Sequence, residues 1–306
     1  MRSSVFRRGL RLGAFAIVTL TLAVSATLVF LCYSQAQIFA HPPRAAATVT
    51  PAAAGIDLWR DVNFAAADGV ELRAWYLPPS MSPGAALVYV HGHGGNRAAL
   101  AEMRFFADQG YGLLMLDLRN SGSSGGAATS LGYWEALDVE AAFAFLAAQP
   151  EVDAERIALY GVSMGGAAVI RAAADLPNVR ALIVEATYVN MLDVVGDGVQ
   201  RRTGLPPWPF ANIILWLAGR ESGADLFAVD SEAALASITV PILIMHGTND
   251  ETVSVAHAER LYAAANEPKQ LWLLEVAGHG GLIFSDPAGY AARVTAFLDA
   301  YLRAVP

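Results

Sequence analysis

Ile157-Ala158-Leu159-Tyr160-Gly161-Val162-Ser163-Met164-Gly165-Gly166-Ala167 is the stretch on which the reading of this chain turns. Arg156–Tyr160 is a short β-rich run and Gly165–Asp175 carries helical spacing, so Gly161–Gly165 is a strand-to-helix turn. A serine on so sharp a turn stands out from the sheet top, and flanking glycines keep neighbouring Cβ atoms from colliding. The bare pattern arises by chance in glycine-rich chains; the strand before it and the helix after it give it weight. Ser163 is therefore the candidate nucleophile.

On both sides, short β-rich runs alternate with longer helical patterns. Leu58–Ala65 and Val70–Leu77 read as an antiparallel pair turned at Ala67-Asp68-Gly69. Ala86–Val90, Gly112–Leu118, Ala181–Val184, Ile242–Met245 and Gln270–Val276 read as further strands. Arg97–Gln109, Trp134–Ala148, Ala256–Ala265 and Ala291–Ala304 read as helices. Such alternation predicts an α/β fold, a mostly parallel eight-stranded sheet with helices on both faces. Ligands in these sheets sit beyond the C-terminal strand ends, where Ser163 falls. The alternation lapses over residues 188–239, too long a stretch for a plain connection. Trp208-Pro209-Phe210 and Ile213-Ile214-Leu215-Trp216 make it apolar. Two readings fit it: helices packed on the domain edge, or a small helical lid shaping a pocket for an apolar group.

A serine hydroxyl needs an adjacent base to act as a nucleophile at neutral pH. Of six histidines, His41 lies in a Pro/Ala-rich stretch and His257 in a helical pattern, while His91, His93, His246 and His279 follow strands. His279 sits in Ala277-Gly278-His279-Gly280-Gly281, a loop pliant enough to bring an imidazole over the site, and alone lies C-terminal to a plausible acid. That acid is Asp250, in His246-Gly247-Thr248-Asn249-Asp250, which would accept the Nδ1–H of His279. Asp250 also suits an N-cap before the next helix, and Glu251 and Asp230 remain as alternative acids. Stabilising an oxyanion requires preorganised N–H donors. The backbone N–H of Met164 and that of His93, which follows the pliant Gly92, are the candidates. His91 and His93 also suggest a metal pair, but no carboxylate follows at ligand spacing, so no metal or cofactor is expected.

Taken together, the residues from about Asp57 onward resemble the α/β-hydrolase superfamily. They are most similar to its bacterial membrane-anchored members near the prolyl-oligopeptidase and dienelactone-hydrolase branches. The likeness rests on Tyr89-Val90-His91-Gly92-His93-Gly94-Gly95-Asn96, Gly161-Val162-Ser163-Met164-Gly165-Gly166, Ile244-Met245-His246-Gly247-Thr248-Asn249-Asp250 and Gly278-His279. It implies a catalytic triad of Ser163, Asp250 and His279, in the chain order of that fold, with His93 and Met164 as oxyanion donors. One departure is Asn120, where relatives usually carry glycine. The reaction implied is acyl transfer to water, on a small-molecule or lipid-like acyl substrate. A carboxylic ester is the favoured bond, with a serine peptidase or amidase, or an inactive membrane-tethered binding module, as alternatives; the fold alone does not choose the substrate.

The 306 residues hold one large α/β domain with a short appendage. No Lys, Arg, Asp or Glu occurs from Leu12 to Pro43, Gly13–Leu31 is nearly all apolar, and Arg2, Arg7, Arg8 and Arg11 precede it. This predicts a cytoplasmic stub and uncleaved transmembrane anchor over residues 1–34, a Pro/Ala-rich linker over 35–56, and a catalytic domain over 57–306 exported across the membrane. The alternative is a signal peptide cleaved after Ser34-Gln35-Ala36, releasing a secreted or periplasmic enzyme. A lipoprotein anchored on Cys32 fits poorly, since Leu31 stands where a small residue is wanted. Net charge is −8, and every acidic residue lies beyond the apolar stretch, which argues against nucleic acid as a partner. Cys32 is the only cysteine, so no internal disulfide forms.

Overall fold

The computed structural model describes residues 2–303, with side chains from Leu12 onward. The basic cluster Arg2, Arg7, Arg8 and Arg11 lies outside the residues whose side chains are described, as does Ala304, where the last helix was expected to end.

In chain order the elements are helix α1 (Arg2–Ala40), strands β1 (Arg60–Ala65), β2 (Glu71–Leu77) and β3 (Gly84–Val90), α2 (Leu100–Asp108), β4 (Gly112–Asp117), α3 (Glu135–Ala147), β5 (Val152–Val162), α4 (Met164–Ala173) and β6 (Val179–Glu185). Next come α5 (Met191–Thr203), α6 (Pro207–Ser222), α7 (Ser231–Leu235), β7 (Ile242–Gly247), α8 (Val255–Ala264), β8 (Lys269–Leu274), α9 (Leu282–Ser285) and α10 (Pro287–Leu298). The eight strands form one sheet in the order β1-β2-β4-β3-β5-β6-β7-β8. β2 runs antiparallel to β1 and β4, and the remaining neighbours are parallel.

Strand β3 shows why this sheet needs helices on both faces. All seven of its residues are buried. Ala86, Val88 and Val90 join one apolar cluster with Val139 of α3, Ala168 of α4 and Leu261 of α8. Leu87 and Tyr89 join the other, with Met103 and Phe106 of α2 and Tyr290 and Val294 of α10. The period-two alternation of a strand thus feeds two cores at once. Beyond β4, Arg119 pairs with Asp138 of α3 and Asp68 of the β1–β2 turn, both at 2.7 Å, and so holds down the loop carrying Asn120. Asn120 has φ 54°, a left-handed conformation that asparagine tolerates, which explains how it stands where glycine was expected.

The N-terminal segment departs from the sequence reading. The apolar helix does not end near Ser34 but runs unbroken to Ala40, so residues 35–40 are helix rather than linker. The reason is packing. Cys32, Ala36 and Ala40 recur every four residues and are buried; Cys32 and Ala36 share an apolar cluster with Ala211, Ile214 and Leu215 of α6. Residues 41–56 are not a free tether either. Thr129 N donates to the Ala40 carbonyl at 2.8 Å, and Asn96 Nδ2 to the Ala45 carbonyl at 3.2 Å. The Arg44 guanidinium donates to the carbonyls of Gly122 and Ser124, and Pro42 and Pro51 are buried.

Candidate active site

The turn after β5 is as tight as its sequence requires. Ser163 has φ 52° and ψ −115°, a strained conformation held by its surroundings. Its N–H donates to the Glu185 carbonyl at 2.8 Å, fixing the turn to the end of β6. A Cβ on Gly161 would lie 2.4 Å from the Gly165 carbonyl, and one on Gly165 would lie 2.4 Å from the Val90 carbonyl. Only glycine permits this closeness, which places Ser163 at the C-terminal edge of the sheet with α4 starting behind it.

Three sequence-distant side chains meet here. His279 Nε2 lies 3.0 Å from Ser163 Oγ, and His279 Nδ1 lies 2.7 Å from Asp250 Oδ2. With Nδ1 protonated and donating to the carboxylate, Nε2 presents its lone pair to the serine hydroxyl. The other Asp250 oxygen accepts from the N–H groups of Thr252 at 2.7 Å and Val253 at 2.9 Å. His246 Nε2 donates to the Val253 carbonyl at 2.8 Å and lies 3.2 Å from Asp250 Oδ2. Burial alone would push the Asp250 carboxyl up, but the hydrogen bonds from His246 and His279 and the His279 charge outweigh it and hold the group far below the usual carboxylate range.

Neither alternative acid is hydrogen-bonded to His279. Asp230 caps α7 by accepting from Ala233 N at 2.8 Å, and Glu251 is exposed to solvent. The N-cap of α8 is Ser254, not Asp250. Both His91 nitrogens are committed: Nδ1–H donates to the Gly92 carbonyl at 2.7 Å, and Nε2 accepts from Leu118 N at 3.2 Å. Burial lowers the His91 imidazole's affinity for a proton, in keeping with a neutral, structural ring. His93 Nε2 donates to the Phe39 carbonyl at 3.0 Å. Among the described residues, neither His93 N–H nor Met164 N–H donates to a protein acceptor, and Met164 opens α4, where the helix dipole is positive.

Two contributors escaped the sequence reading. The first is Glu185, fully buried at the end of β6, whose carboxylate accepts from Leu282 N at 3.0 Å and from the Tyr160 hydroxyl. It pins the loop that follows His279, and burial raises its proton affinity. Its one signal was a charged residue closing an apolar strand. The second is α1. A cavity of about 530 Å3 over Ser163 and His279 is lined by Met191, Val195 and Val199 of α5, by Ile214 of α6, and by Cys32 and Phe39 of α1. Helices α5 and α6, within the 188–239 stretch, thus contribute to the cavity wall.

A serine on a strand–helix turn, approached by histidine over an eight-stranded α/β sheet, defines a class: the chain is an enzyme of the α/β-hydrolase fold, a serine hydrolase. The sequence profile of the prolyl oligopeptidase family matches residues 96–304, and the chain belongs to that family. It is 30% identical to the uncharacterised protein Rv2307c of Mycobacterium tuberculosis over 296 residues, covering 96% of this chain and 95% of that one. The α/β-hydrolase domain-containing protein WAV2 of Arabidopsis thaliana is 31% identical over 228 residues, covering 71% of this chain and 70% of WAV2. Among solved structures, the Pyrococcus furiosus esterase Pf2001 is similar with a TM-score of 0.72 at 25% identity, covering 86% of this chain and 98% of the esterase. The fold is also that of the acetyl xylan esterase of Paenibacillus sp. R4, with a TM-score of 0.64 at 23% identity, over 88% of this chain and 99% of that one.

Proposed function

We propose that the protein hydrolyses carboxylic esters through an acyl-enzyme on Ser163, while tethered to a membrane by α1. The observation that carries the reading is the linear relay from Ser163 Oγ through the His279 ring to Asp250, with spacings of 3.0 and 2.7 Å. His279 Nε2 takes the hydroxyl proton as Ser163 Oγ attacks the ester carbonyl, and Asp250 stabilises the imidazolium. The N–H groups of His93 and Met164 serve the oxyanion of the tetrahedral intermediate. Collapse expels the alcohol, which receives its proton from His279. Water, deprotonated by the same ring, then attacks the acyl carbon and releases the acid with Ser163 restored. The apolar cavity and the esterase among its structural neighbours favour an ester over a peptide bond.

The tether reading draws on Leu12–Ala40, long and apolar enough to cross a membrane. Arginines on its N-terminal side favour a cytoplasmic N-terminus and an exported domain. Cleavage after Ala36 would remove most of the buried face of α1, so the packing against α6 favours an uncleaved anchor. The test is a pair of variants on an ester of p-nitrophenol. Ser163→Ala and His279→Ala should each lower kcat by about 10⁴-fold or more, and the double variant should be no worse than either, because the pair acts as a unit. Multiplying losses, or a Ser163→Ala enzyme within tenfold of wild type, would refute the reading.

A further inference from the structure

The cavity over Ser163 is walled partly by the apolar N-terminal helix. Leu28, Leu31, Cys32, Gln35 and Phe39 line it from α1. At positions i, i+3, i+4, i+7 and i+11, they share one helical face. Phe39 marks the inner end: its carbonyl accepts from His93 Nε2 at 3.0 Å, and the two rings meet edge-on at 6.2 Å. Leu28 lies eleven residues earlier, about 16 Å along the axis at the rise of an α-helix. Leu28 and Leu31 also close the apolar run Gly13–Leu31, whose length of about 28 Å matches a bilayer's hydrocarbon core. Leu31 is 56% exposed, so the cavity is open at that end. On α6, which packs against α1, Trp208 and Trp216 are 74% and 56% exposed, the kind of side chain that settles at a membrane interface.

The cavity therefore extends from the reacting serine to the part of α1 that would enter a bilayer. A short water-soluble ester leaves its outer half empty; an acyl chain lying along α1 fills it. We infer that the site takes a long-chain acyl ester from the membrane itself, the chain lying between Leu28 and Phe39 and the carbonyl at Ser163. On this account α1 is a wall of the substrate site as well as a tether. The inference rests on the ester-hydrolase reading above.

The test uses the full chain in phosphatidylcholine vesicles, with p-nitrophenyl palmitate and p-nitrophenyl butyrate as probes. Each methylene buried should raise kcat/KM about fourfold until the cavity is full. Gly198 lines the cavity from α5, a Cβ there would meet nothing within 4 Å, and phenylalanine is a better helix former than glycine. Gly198→Phe should therefore fold and block the cavity. It and Leu31→Trp should lower the palmitate-to-butyrate ratio of kcat/KM at least tenfold, whereas Phe30→Trp, on the exposed side of α1, should leave both rates unchanged. Ratios within twofold of wild type in both blocking variants, with butyrate still hydrolysed through Ser163, would overturn this inference alone. Butyrate turnover that survives Ser163→Ala would overturn the ester-hydrolase reading beneath it. Independently of these variants, a hexadecyl fluorophosphonate on Ser163 should slow alkylation of Cys32 by N-ethylmaleimide at least tenfold relative to an ethyl fluorophosphonate. Equal rates would contradict an acyl chain lying along α1.

Discussion

Asp250→Asn removes one charge and changes no volume, so its effect isolates the orientation of His279. In the wild type, Asp250 Oδ1 accepts from Thr252 and Val253 N–H, and Oδ2 faces the ring nitrogens of His279 and His246. An asparagine has two ways to sit. Turning its NH2 toward Thr252 and Val253 would set donor against donor at both amides, and the buried Val253 N–H, left unmet, would cost about 1–3 kcal/mol. It should therefore keep its oxygen on those amides and present NH2 to His279. Nδ1 must then accept, the ring proton moves to Nε2, and that nitrogen no longer offers Ser163 a lone pair. The expected loss is about 10⁴-fold in kcat, equivalent to roughly 5 kcal/mol of transition-state stabilisation. Initial rates on p-nitrophenyl butyrate, with unfolding by urea as a check on the fold, measure it. If Asp250→Asn kept more than a tenth of wild-type kcat while Asp230→Asn or Glu251→Gln lost activity, the acid would be misassigned.

Two further predictions concern stability. Glu102 of α2 is buried, and burial, aided by the Glu185 charge, pushes its carboxyl from an ordinary 4.5 up to about 7. Below about pH 4.5 both folded and unfolded states hold the proton; between there and about 7 only the unfolded state releases it, so wild-type stability falls with rising pH. Glu102→Gln should therefore gain up to about 3 kcal/mol over wild type at pH 8 but little at pH 4.5, and equal differences by urea unfolding at both would contradict this. Deleting residues 1–44 removes the bonds from Thr129, His93 and Arg44 described above. At about 1 kcal/mol each, that should lower Tm by about 10 °C, and a Tm within 2 °C of wild type would mean that the segment is a free linker after all.

The sheet and the tight turn that carries Ser163 were readable because they depend on local pattern. Ala86–Val90 is apolar throughout because both its faces are buried, and Gly161 and Gly165 are required by contacts within a few residues of Ser163 and with the adjacent strand β3. The last helix was readable too but placed late: Asp286 caps it, accepting from Gly289 N, and Pro287 begins it, a start signal that the apolar spacing obscured. The last strand is shorter than its apolar run suggests: β8 ends at Leu274, and Val276 turns away with φ 57°. Long-range packing was not readable. The stripe Cys32, Ala36 and Ala40 acquires meaning only beside α6, more than 160 residues later. Composition alone made residues 35–56 a linker, whereas Ala40 and Arg44 are fixed by partners between Asn120 and Thr129. Glu185 likewise shows its purpose only once Leu282 and Tyr160 stand around it.

If His279 and Asp250 activate Ser163, that serine should react with a covalent probe and lose the reactivity with either partner changed. Full-length protein treated with a fluorophosphonate should gain one adduct by intact mass, and peptide mapping should place it on Ser163. His279→Ala and Asp250→Asn should slow that labelling at least a hundredfold while retaining the fold. An unlabelled wild type, an adduct on another residue, or labelling of His279→Ala at the wild-type rate would contradict the account.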